Sequence, residues 1–107
     1  MEWYIEISKK AEEDLEGIHQ YIAFSLGGTG TAWKQTERIR DKIYKLNNMP
    51  ERYPVVQEEP WKSRGVRRIN VDNYSAFYIV DKESCTVDVL RVFYSRRDLL
   101  NTLLWNE

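Results

Sequence analysis

Three runs in the second half of the chain, 66–71, 74–80 and 87–93, pack aliphatic and aromatic residues closely enough to predict β-strands. The links at 72–73 and 81–84 are short and polar, so the runs are expected to pair as hairpins and form a meander. Upstream, residues 3–7 are short, aromatic and β-branched, and they stop at Ser8, which suits a strand running into a helix cap. Ala11, Leu15, Ile18 and Ile22 then fall on one stripe of an amphipathic helix. Glu12, Glu13 and Asp14 stand near its positive end, and Gly27 and Gly28 stop it. A second stripe, Ala32, Thr36, Ile39, Ile43 and Leu46, predicts a second helix capped by Thr29 or Thr31 and ended before Pro50.

The short glycine link makes these helices an antiparallel hairpin, and both apolar stripes need a cover that only the later strands can supply. Residues 49–63, interrupted by Pro50, Pro54 and Pro60, read as an ordered surface loop held by Tyr53 and Trp61. Helical spacing returns over 95–104 through Leu99, Leu100 and Leu103. The expected fold is one α+β domain over 1–107, ordered β-α-α-β-β-β(-α). Its antiparallel sheet carries the helical hairpin on one face and leaves the other face partly open.

Charge alters this picture mainly by its distribution. The formal net charge is only −1, unlike that of a protein that coats nucleic acid nonspecifically. The amino-terminal residues are acidic, however, while Lys62, Arg64, Arg67 and Arg68 lie in a stretch with no carboxylate between Glu59 and Asp72. Arginine inside strands is less usual than arginine in turns, so guanidinium and phenol groups among the strand aliphatics point to a surface that meets anions. Such a surface requires the meander to gather these groups on one exposed patch. Arg91 lies within a strand expected to be central, where it needs a carboxylate partner; Asp98 and Asp88 are the candidates.

Cys85 is the only cysteine and His19 the only histidine, so an internal disulfide is impossible and neither metal nor cofactor is expected. The first residues lack the features of a signal peptide and no run approaches a membrane span. A cytoplasmic protein with no membrane partner and no small-molecule substrate is therefore expected.

Residues 5–15 (IEISKKAEEDL), 73–81 (NYSAFYIVD) and 90–99 (LRVFYSRRDL), in this order and spacing, resemble the RelE/ParE superfamily of toxins from type II toxin–antitoxin modules. The resemblance spans nearly the whole chain. It implies a growth-inhibiting bacterial toxin, of the kind linked to plasmid stabilization, neutralised by a cognate antitoxin. It also implies one of two targets: RelE-type members cut mRNA in the ribosome, and ParE-type members poison DNA gyrase.

Cleaving RNA through its own 2′-hydroxyl needs a base, positive charge for the phosphate and an acid for the leaving oxygen. On the nuclease reading the resemblance offers Arg68, Tyr94, Arg96 and Arg97. Val66 and Ser75 stand where nucleases often carry lysine and arginine, and Asn101 where some place their acid. The run Arg-Val, aromatic, Arg-Arg-Asp-Leu resembles the ParE branch, which is favoured. Arg64, Arg67, Arg68, Arg91, Tyr94, Arg96 and Arg97 are thus the candidate target- or antitoxin-binding residues. Against this stand blander roles: solvated strand charges, a structural ion pair at Arg91, and a ring-buried, hydroxyl-wet tyrosine at Tyr94. An inactive remnant that only binds is the remaining alternative.

Overall fold

A computed structural model describes residues 2–96. Strand β1 (Tyr4–Ile7) leads into helices α1 (Lys9–Ser25) and α2 (Gly28–Tyr44), and strands β2 (Arg67–Val71), β3 (Tyr74–Asp81) and β4 (Thr86–Tyr94) follow. The expected last helix, with Arg97 and Asp98, lies outside the described residues except at Ser95 and Arg96.

Ser8 caps α1 as its sequence suggests, its hydroxyl accepting the Ala11 N–H at 3.0 Å. The start of α2 differs from expectation. Gly27 occupies the cap position and makes no side-chain cap bond, so the helix begins at Gly28, ahead of Thr29 and Thr31. Gly28 has φ +85°, a conformation glycine adopts without a Cβ clash, and this lets the chain reverse within two residues.

The sheet order is β1-β4-β3-β2. The three later strands form the antiparallel meander, but β1 pairs parallel to β4, because the intervening helices carry the chain back across the sheet. The sheet is therefore mixed. Both helices lie on one face, where Ala11, Leu15, Ile39, Ile43 and Leu46 pack against Ile69, Tyr78, Val87, Val89 and Val92.

The opposite face is less open than expected. Val56, Trp61 and Val66, from the proline-rich loop and the start of the meander, fold over Phe77 and Phe93 and form a second core, with Trp61 at 0% exposure. Gly65 (φ +74°) supplies the turn that brings this loop back to β2.

Tyr78 ties the loop from the helix side. Its buried hydroxyl donates to the Pro50 carbonyl at 2.7 Å, and burial pushes its phenol up to about 12. A phenol whose pKa is higher in the folded than in the unfolded chain contributes stability below about pH 10 and loses it as pH rises toward 12. Tyr78→Phe is expected to cost about 1 kcal/mol at neutral pH and to flatten that alkaline loss. Urea melts at pH 8 and pH 11 measure both effects.

Candidate interaction site

Alternation along a strand places consecutive residues on opposite faces, and this separates the arginines before any other force acts. Arg67 shares the helix-side face with Ile69 and Val71. There it donates to the backbone carbonyls of Glu51 and Tyr53 at 3.1 and 2.6 Å, anchoring the 50–53 turn. Arg68 turns the other way. Its guanidinium lies 5.7 Å from the Phe77 ring centroid and donates to Asn70 Oδ1, Ser75 Oγ and the Ser95 carbonyl.

Two further arginines lie over the same second core. Arg64 sits 5.5 Å from the centroid of Trp61, and Arg91 sits 4.6 Å from that of Phe93. Phe77 and Phe93 are themselves in contact at 5.9 Å. Three guanidiniums from a loop, an edge strand and a central strand are thus laid on one aromatic cluster. Arg91 is neutralised there. Among the described residues, carboxylates pair with Arg38, Arg40, Arg67, Lys82 and Arg91.

The partner of Arg91 is Asp14 in α1, rather than Asp88; the other candidate suggested by proximity in sequence, Asp98, lies outside the described residues. Nε and Nη2 donate to its carboxylate at 2.8 and 2.9 Å, and the same carboxylate accepts the Val92 N–H at 2.9 Å. A β-bulge explains this convergence. Tyr78 pairs with Val89 but Phe77 with Arg91, so Leu90 is the extra residue in β4. Because β1 ends at Ile7, opposite Val89, no strand among the described residues continues the ladder along this edge. The freed groups are taken by the start of α1: Ser8 Oγ donates to the Leu90 carbonyl at 2.9 Å and Asp14 receives Val92.

Asp88 sits instead at the other end of the sheet, paired in register with Glu6. Burial first, and then the Glu6 carboxyl, raise its pKa above the ordinary carboxylate range. The face opposite the helices is therefore polarised, with carboxylates at the β1 end and guanidiniums beyond the bulge.

The bulge also governs Tyr94. Paired with Tyr74, it faces the helices, and the two rings meet edge to face at 5.9 Å. Together with Ile18, Tyr21 and Leu26 they line a groove of ≈ 730 Å³ between α1 and the end of β4. Burial, then the neighbouring Tyr21 and Tyr94, raise the Tyr74 phenol. Tyr94 is 47% exposed, on the side of the sheet away from Arg68. Arg96 is exposed just past β4, and Arg97 lies outside the described residues.

The single patch expected from sequence is therefore divided. Arg64, Arg68 and Arg91 share a face, whereas Arg67 and Tyr94 belong to the other. Asp14 escaped sequence reasoning as a partner because its only local signal is a carboxylate near a helix start. His19 packs edge-on against Trp33 at 5.4 Å, and Trp33 is largely exposed. Among the described residues no group of three or more His, Cys, Asp or Glu could hold a metal ion, and no helix is long and apolar enough to cross a membrane.

A sequence profile described as ParE toxin of type II toxin-antitoxin system, parDE, matches residues 5–99. The chain belongs to this toxin family. It is accordingly the toxin component of a type II toxin–antitoxin system, within the RelE/ParE superfamily. No curated protein matches it in sequence.

Among solved structures, the fold resembles that described as the chromosomal ParDE system from P. aeruginosa, with a TM-score of 0.68 and 22% identity over 86% of this chain and 95% of that one. The RelBE2 toxin–antitoxin complex from Mycobacterium tuberculosis gives a TM-score of 0.65 and 19% identity over 88% and 99% of the two chains. An archaeal RelE–RelB complex from Pyrococcus horikoshii OT3 gives 0.61 and 16% over 92% and 100%. At these identities the likeness is one of fold, and it agrees with the two-helix, four-stranded architecture of this toxin.

Proposed function

We propose that this toxin stops growth by poisoning DNA gyrase in the cytoplasm, and that a cognate antitoxin neutralises it by wrapping the helical hairpin and the sheet. The observation that carries the choice of gyrase over mRNA is the separation of Tyr94 from Arg68 by the thickness of the sheet. Cutting RNA needs a proton-transferring group and phosphate-holding cations within hydrogen-bond reach of one linkage. Here the tyrosine joins a phenolic groove while the arginine is engaged on the other side. The near-neutral net charge fits a protein target better than a ribosomal one.

On this reading Arg64 and Arg96, with Arg97 beyond the described residues, supply contact cations. The groove of Tyr21, Tyr74 and Tyr94 receives part of the antitoxin, which orders as it binds and loses conformational entropy in covering a wide surface.

Purified toxin incubated with gyrase, ATP and plasmid is expected to block supercoiling and to leave protein-linked cleaved DNA after detergent treatment. In a parallel translation reaction, mRNA mapped by primer extension is expected to stay intact. Ribosome-dependent cuts that vanish in both Tyr94→Phe and Arg97→Ala would overturn the proposal in favour of a nuclease. Normal growth on induction in cells lacking antitoxin would point to a remnant that only binds.

A further inference from the structure

Arg68 stands where the family resemblance suggests a cation for anions, but its surroundings describe a different task. Its Nε donates at 3.1 Å both to Asn70 Oδ1 and to Ser75 Oγ, and its Nη2 donates at 3.2 Å to the carbonyl of Ser95. Ser75 is 1% exposed. Its hydroxyl donates to Asn70 Oδ1 at 2.7 Å and lies 3.1 Å from the hydroxyl of Ser95. The Ser95 N–H in turn donates to the Asn73 carbonyl at 2.7 Å. Three side chains from two adjacent strands, Arg68 and Asn70 of β2 and Ser75 of β3, thus form a network on one residue, the first after β4, and Phe77 lies behind the guanidinium.

We infer that Arg68 is a positioning residue. It clamps Ser95 so that the chain leaves the sheet in one direction and Arg96 is presented in one place, and it does not itself grip the target. The fork of the guanidinium is what permits this: Nε and Nη2 point along different directions in one plane and reach side chains and a backbone carbonyl together. A lysine carries the same charge on one rotatable ammonium and cannot do so. Ser75 is the second requirement. A long basic side chain at that position would crowd the site, whereas a buried hydroxyl both accepts and donates within it. The inference goes beyond the choice of gyrase, because it concerns how this chain aims its own basic turn, whatever surface that turn meets.

Arg68→Lys and Arg68→Gln test it. Growth-inhibition potency is measured by titrating induced expression, and backbone amide exchange is followed by NMR on each purified toxin. Loss of a hydrogen bond to a charged group corresponds to about a tenfold change. Both variants are expected to lose potency by about that factor and to raise exchange of the Ser95 amide similarly, while amides of α1 and α2 keep wild-type protection. Ser75→Ala, which leaves every charge in place, is expected to move Ser95 exchange in the same direction.

Full potency in the lysine variant with loss in the glutamine variant would make Arg68 a charge contact and overturn the inference. So would an unchanged Ser95 amide in either variant, or undiminished potency in both. If wild-type toxin traps no gyrase, the target proposal fails alone. The exchange and growth readouts still decide this one.

Discussion

Trp61→Ala is expected to destabilise the protein by about 3–5 kcal/mol, the largest single effect among the described side chains. Trp61 has no exposed surface and shares the second core with Val56, Val66, Phe77 and Phe93. The start of the loop is tied by Tyr78 and Arg67, but around Trp61 itself it is held by one bridge from Val55 to Arg67 and by short backbone bonds such as Val56 N–H to the Val66 carbonyl and Val66 N–H to the Trp61 carbonyl. Removing the indole leaves a cavity that the neighbouring aliphatics cannot fill, exposes Phe77 and Phe93, and takes the ring from beneath Arg64. Denaturation in urea should show a lower midpoint, with faster amide exchange over 54–66 and unchanged protection in α1 and α2. A cost under about 1 kcal/mol would mean that this face contributes little to the fold.

The ion pair between Asp14 and Arg91 should give the second largest effect, with an asymmetry that reports its geometry. Their side chains are 14% and 18% exposed, so the pair is neither fully buried nor freely solvated. Breaking such a pair costs less than the 3–5 kcal/mol typical of full burial but well above the near-zero value of a surface pair, and about 2–3 kcal/mol is expected. Arg91→Ala leaves Asp14 with the Val92 N–H still bound, whereas Asp14→Ala deprives both Arg91 and that N–H of their acceptor. The aspartate variant should therefore be worse by about 1 kcal/mol. A double-mutant cycle in urea yields the coupling, and equal losses in the two single variants would contradict the shared-acceptor geometry.

Local spacing made most of the framework legible. The stripe Ala11, Leu15, Ile22 is buried in α1 and Ala32, Thr36, Ile39, Ile43 in α2. The three later strands lie within about a residue or two of where alternation and turn residues place them. These features depend on periods of 3.6 and 2, which a linear chain displays openly. The cap of α2 was misplaced because Thr29 and Thr31 are good capping residues in isolation, while the tight reversal at Gly27–Gly28 starts the helix before either can serve.

By itself, the amino-acid sequence determined an α+β toxin-family domain with a helical hairpin on a meander; strand alternation also sets Arg67 and Arg68 on opposite faces, which the expectation of a single patch overlooked. Only the tertiary structure decided which groups act together. One extra residue in β4 sets the phase that turns Tyr94 toward the helices. Asp14 reaches Arg91 across 77 positions of sequence, because an interrupted edge ladder leaves the Val92 N–H in need of an acceptor. A bulge and a long-range carboxylate leave no periodic trace, since both answer to hydrogen-bonding demands that arise only once the strands have paired.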